Sequence, residues 1–146
     1  MWRIVLGCLV GMSTSVFAVG LSVGTLTYFD VGPIGQFINH VIPQAMAKQS
    51  LNDYSLEIMR QGLIFGWLVI FPLSSLIGSL VGTTISSTRG TWVGLTAVVP
   101  MVAIAFSGKS DGILRVLSAL LCLAVGGGTG YIVERLLKRK QKTTGE

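Results

Sequence analysis

The chain has 146 residues, 51% of them hydrophobic and 12% charged, with mean hydropathy +0.72 and net charge +5. Soluble domains are about 25% charged, and a soluble surface this oily would form large adhesive patches. The composition therefore excludes an ordinary soluble domain, places the chain in a bilayer, and leaves room for one compact bundle over residues 1–146.

The first apolar stretch covers residues 4–29, between Arg3 and Asp30. Val16-Phe17-Ala18 resembles a small-residue cleavage site behind a signal segment. The apolar run continues to Phe29, however, past the roughly 20 residues that span hydrocarbon. A retained, tilted transmembrane helix is expected.

Residues 31–60 form a different kind of segment. Gly32-Pro33 ends the first helix. Ile34, Phe37, Ile38, Val41 and Ile42 then fall on one helical face, with Gly35, Gln36, Asn39 and His40 opposite. That pattern predicts a short amphipathic helix in the interface or a lid on the bundle. Ser50 and Asp53 resemble a capping box that starts a further helix, and this helix can run into the second span.

The second span is expected over residues 62–85 and contains Pro72. The third covers residues 91–106 and contains Pro100. The fourth covers 113–133 and leads into a basic tail, 134–146. Trp67, Trp92 and Tyr131 are expected near span ends, where amphipathic rings anchor to the interface. Gly62, Gly66 and Pro72 share a G-x3-G-x5-P pattern with Gly90, Gly94 and Pro100, which raises a one-helix inverted repeat of the kind transporters use.

Small residues recur every fourth position along these spans, which puts them on one helix face. Gly7, Gly11 and Ser15 do so in the first, and Ser74, Gly78, Gly82 and Ser86 in the second. Gly90 and Gly94 open the third, and Ser118, Cys122, Gly126 and Gly130 form the ladder of the fourth. In lipid such ladders admit another helix backbone at close range. Gly7, Gly11, Gly78, Gly82, Ser118, Cys122, Gly126 and Gly130 are the candidate packing residues. Gly126-Gly127-Gly128-Thr129-Gly130 is too dense for one contact alone. With Pro72 and Pro100, Gly127 and Gly128 mark a possible helix break or pore.

Arg135, Lys138, Arg139, Lys140 and Lys142 directly follow the fourth span, where basic residues touch anionic head groups and fix topology rather than bind nucleic acid. With Arg3 and Arg89 they make seven basic residues on one side. Lys48, Arg60, Lys109 and Arg115 make four on the other. The bias puts both termini in the cytoplasm or its equivalent.

Every Asp, Glu, Lys, Arg and His is expected in a loop, near an interface or in the tail and none at hydrocarbon depth, which argues against a proton relay or intramembrane catalysis. The two cysteines lie within apolar spans and suggest neither a disulfide framework nor a zinc site. Asp30, His40, Asp53 and Glu57 match no metal-ligand spacing, so no metal or cofactor is expected. The expected fold is all-α: an integral, multi-pass membrane bundle of four transmembrane helices with a short amphipathic helix in the first outer loop. The expected role is non-enzymatic, a packing or assembly subunit whose partners are the lipid bilayer and other membrane subunits or copies of itself. The alternatives are a small oligomeric channel or carrier for a neutral or weakly charged solute and, more distantly, a pigment- or haem-binding subunit that uses His40.

Overall fold

A computed structural model describes residues 1–47, 50–87, 89–107 and 112–143, with side chains described as far as Lys140. The chain is an all-α membrane bundle. Four helices are long and apolar enough to cross a bilayer: Trp2–Tyr28, Asp53–Ser86, Gly90–Ser107 and Gly112–Lys140. Helices suit this setting because every backbone N–H and C=O finds its partner within the segment.

Helix α1 (Trp2–Tyr28) ends in a tight turn in which the Val31 N–H bonds to the Leu26 carbonyl at 3.0 Å. The lid follows as α2 (Gly32–Gln36), a π-helical turn (Phe37–Val41) and α3 (Ile42–Met46). Its apolar stripe faces inward, with Ile34 and Val41 buried, while Asn39 and His40 are exposed. Gly35 departs from its expected polar face. It is buried so tightly against α1 that a Cβ there would lie 2.5 Å from the Leu26 carbonyl oxygen.

The second span starts earlier than expected. Helix α4 (Asp53–Phe65) passes through a π-helical turn (Gly66–Ile70) into α5 (Phe71–Ser86) without a break. Its N-cap is Asn52, not Ser50: the Asn52 side-chain oxygen accepts the Ser55 N–H at 2.8 Å. An Asn in this position satisfies an otherwise orphaned helix-terminal donor. Trp67 consequently lies within the helix, not at a span end. Its ring meets Phe71 edge-on with centroids 4.7 Å apart.

Both π-turns have the same cause. The Ile42 N–H reaches back to the Phe37 carbonyl, and the Phe71 N–H to the Gly66 carbonyl, each five residues away. A proline follows directly in each case, Pro43 and Pro72. Proline lacks an N–H and its ring crowds the carbonyl one turn back. A single wide turn absorbs that conflict.

Helices α6 (Gly90–Ser107) and α7 (Gly112–Thr143) complete the bundle, and Pro100 sits inside an otherwise continuous α6. Helix α1 packs chiefly on α5, and α7 on α6 and α5. Val98, Met101 and Cys122 form the buried centre, with Val19, Phe71 and Val102 around it. The facing glycines described below make α1 antiparallel to α5 and α6 antiparallel to α7, so the start of α1 and the end of α7 lie at one end of the bundle and the lid at the other.

Candidate functional site

Two glycine seams hold the end of the bundle nearest the termini. In the first, Gly7 and Gly11 of α1 oppose Gly82 and Gly78 of α5. A Cβ on Gly7 would stand 2.6 Å from the Gly82 carbonyl oxygen, and one on Gly82 would stand 2.6 Å from the Gly7 carbonyl oxygen. In the second, Gly90 and Gly94 of α6 oppose Gly130 and Gly126 of α7, again with each glycine set against the other's backbone. Backbone contact this close is available only to residues without a Cβ.

Gly7, Gly11, Gly78, Gly82, Ser118, Cys122, Gly126 and Gly130 are all buried. They are spent inside the chain's own bundle, not on an outer face. Gly127 packs on the Leu95 side chain, and a Cβ on Gly128 would meet nothing within 4 Å. Helix α7 runs unbroken through Gly126–Gly130, so the possible helix break at Gly127 and Gly128 is not found. Packing against α6 gives Gly126, Gly127 and Gly130 the close contact that offsets their poor helix propensity. Of the two prolines, Pro72 carries a distortion and Pro100 does not. The two G-x3-G-x5-P segments therefore differ in local structure: Gly90 and Gly94 form a seam, whereas Gly62 and Gly66 face the lid.

Buried hydroxyls tie the helices together by donating to carbonyls. Ser15 Oγ of α1 donates to the Ala97 carbonyl of α6 at 3.0 Å. Ser79 Oγ of α5 donates to the Gly126 carbonyl at 2.7 Å. Ser118 Oγ of α7 donates to the Trp67 carbonyl at 2.6 Å. Thr96 Oγ1 of α6 lies 3.1 Å from the Cys8 sulfur of α1. Among the described residues, no buried side-chain nitrogen or oxygen lacks a hydrogen-bond partner.

The polar face of the lid forms a latch. His40 Nε2 lies 2.9 Å from Asp30 Oδ2, and Asn39 Nδ2 donates to Asp30 Oδ1 at 3.2 Å and to the Thr27 carbonyl at 2.7 Å. The hydrogen bond from His40, followed by that from Asn39, holds the Asp30 carboxyl below its ordinary pKa. At the far end of the lid, Ser55 Oγ donates to the Gln44 side-chain oxygen at 3.0 Å. Asp53 and Glu57 lie on α4, away from this pair, and among the described residues no three metal-ligating side chains gather.

Between the lid and the second span lies an apolar recess of about 310 Å³. Val23 of α1, Ile34, Phe37 and Ile38 of the lid, and Gly66 and Trp67 of the second span line it. Both π-turns contribute to its wall.

At the opposite end, the Lys138 ammonium bonds to the Glu134 carboxylate at 2.5 Å, and the Arg135 guanidinium lies 5.9 Å above the Tyr131 ring. Arg139 and Lys140 extend α7 and are exposed. The Lys142 side chain lies outside the described residues, as do Lys48, Lys109 and Asp111.

Two charged residues take positions that spacing alone does not reveal. Glu134 accepts hydrogen bonds from the backbone N–H groups of Gly90 and Thr91, which caps the N-terminus of α6 from a neighbouring helix. A lone acid inside a basic run is the available signal. Arg115, three residues into α7, is only 8% exposed. It shares the inner stripe with Ser118 and Cys122, and that register is the signal. Comparison of the chain with family models, with curated proteins and with solved structures finds no match.

Proposed function

We propose that the protein is a non-enzymatic integral membrane subunit that associates through the lid-end half of α1. One observation supports this reading. Gly20 and Gly24 form a G-x3-G step, and a Cβ on either would meet nothing within 4 Å. The G-x3-G steps at Gly7, Gly78, Gly90 and Gly126 each meet a helix of the same chain. An open step of this kind offers a neighbouring helix the same close approach, from a second copy or from another membrane protein. The lysine and arginine bias supports an orientation with both termini in the cytoplasm.

Copurification from native membranes tests the proposal, together with single-molecule counting of labelled chains in the bilayer. Gly20→Leu and Gly24→Leu should abolish association while the thermal unfolding of the bundle stays unchanged. A wild-type chain that remains solitary in its native membrane, with no copurifying protein, would sink the idea. The channel or carrier reading has less support, because the buried hydroxyls are spent on carbonyls and α7 is unbroken. The pigment or haem reading has less still, because His40 is paired with Asp30.

A further inference from the structure

We infer that the recess beneath the lid is a binding site for one hydrocarbon tail of a membrane lipid. The lining is apolar on all its walls, with Val23 on one side, Phe37 and Ile38 above, and Trp67 and Ile70 opposite. A polar or charged solute would leave its hydrogen-bonding groups unpaired there. Water gains little in such a space: an apolar void of about half this volume stays dry and takes up apolar guests. An irregular peptide segment would bring backbone N–H and C=O groups that find no partner on these walls. A slender, flexible hydrocarbon chain satisfies every one of these limits, and the surrounding bilayer supplies it.

The local backbone builds this space. Each proline-induced π-turn, Phe37–Val41 in the lid and Gly66–Ile70 in the second span, places side chains on the recess wall. Gly66 leaves room where another residue would project inward: a Cβ there touches only Ile34 Cδ1, at 3.7 Å. Phe37, Ile38, Leu63 and Trp67 are half-buried, so the recess opens to the surface and a tail can enter. At the far side of the lid, the Asp30–His40 and Asn39–Thr27 contacts hold the cover in place.

Trp67 reports on the site directly. Trp2 and Trp92 are exposed and would report bulk lipid, so the experiment uses the full chain with Trp2→Phe and Trp92→Phe, in detergent micelles. Phospholipid brominated at mid-chain is titrated in, and Trp67 fluorescence is followed. The expected result is quenching that saturates. The saturable component is lost in Gly66→Leu, which fills the recess, and is kept in Gly66→Ala, which fits. Val23→Phe fills the same space from α1 and serves if Gly66→Leu fails to fold. Saturation by brominated free fatty acid, by brominated phospholipid or by both supports the site and identifies the source of the tail. Quenching that rises in proportion to bromolipid without saturating overturns the inference. So does a saturable component unchanged in both filling variants. Gly24→Leu leaves the quenching intact, so failure of the association proposal and failure of this one are distinguishable.

Discussion

The Ser118 hydroxyl takes the place of a proton that Pro72 cannot supply. In the wide turn the Phe71 N–H bonds to the Gly66 carbonyl, so the next carbonyl, Trp67, would be served by residue 72. Pro72 has no N–H. Ser118 Oγ, on a different helix, donates to Trp67 O at 2.6 Å instead. The distortion in one span is thereby completed by a side chain from another, and α7 is fixed in register against α5. Ser118→Ala should destabilise the bundle by about 1–2 kcal/mol, the range for a buried carbonyl left without its partner. The loss should shrink in a Pro72→Ala background, where residue 72 regains its donor. Thermal unfolding of the four proteins of this double-mutant cycle gives the coupling. A Ser118→Ala cost that is the same in both backgrounds would refute the assignment.

The glycine seams predict opposite responses from neighbouring glycines. Gly82→Ala places a methyl 2.6 Å from the Gly7 carbonyl oxygen, and Gly126→Ala drives one into the Val98 side chain and the Gly94 carbonyl. Backbone cannot yield as a flexible side chain can, and overpacking of this kind costs about 1–3 kcal/mol. Gly128 lies two residues from Gly126 and faces open space. Gly128→Ala removes a flexible residue from a helix interior and should raise stability by up to about 1 kcal/mol. Circular dichroism melts in one detergent compare the three. A common loss in all of them would mean that the fourth-span glycines serve something other than packing.

Spacing alone reveals which face of each helix is buried, because residues four apart stack on one side and only small ones are repeated there. It does not reveal which ladder meets which. Gly7 could face Gly78, Gly94 or Gly126 equally well on periodicity, and only the folded chain pairs α1 with α5 and α6 with α7. The lid stripe from Ile34 to Ile42 is legible for the same reason as the ladders, but Gly35 is not. Its place in the pattern is polar, and its burial follows from the turn at Asp30 that brings the Leu26 carbonyl close. The π-turns escape sequence reading because a proline signals a missing donor, not how the helix accommodates it. Pro72 takes a wide turn, whereas Pro100 stays within an ordinary helix. The recess needs the lid folded back over the second span, a long-range arrangement that no local pattern encodes. Gly20 and Gly24 look like any other rung of a ladder until the absence of a neighbour sets them apart.

The exit of α5 predicts a stabilising change. Ser87 closes the helix with φ of 53° and donates its N–H to the Thr83 carbonyl at 3.0 Å. The left-handed region strains a side chain and not a glycine. Ser87→Gly should stabilise the chain by about 0.5–1 kcal/mol, and Ser87→Val, branched at Cβ, should destabilise it. Unfolding midpoints measured side by side decide the sign. If the glycine variant melts below the wild type, the Ser87 side chain has a role of its own.

The lid latch predicts a dependence on acid. The folded-state pKa of Asp30 lies below its ordinary value because His40 and then Asn39 hydrogen-bond to the carboxylate. A depressed carboxyl contributes stability that is whole above its unfolded pKa of about 3.9. That contribution fades as pH falls through the lower, folded value. The Asp30 contribution to lid closure should therefore be whole above about pH 4 and fade below it. His40 is the titratable partner facing Asp30, so Asp30→Asn isolates the carboxylate. It should leave the lid looser at neutral pH and flatten the acid response. Hydrogen exchange at the amides of residues 34–46, followed across this range, reads the opening. Exchange that rises equally in wild type and Asp30→Asn would place the acid sensitivity elsewhere.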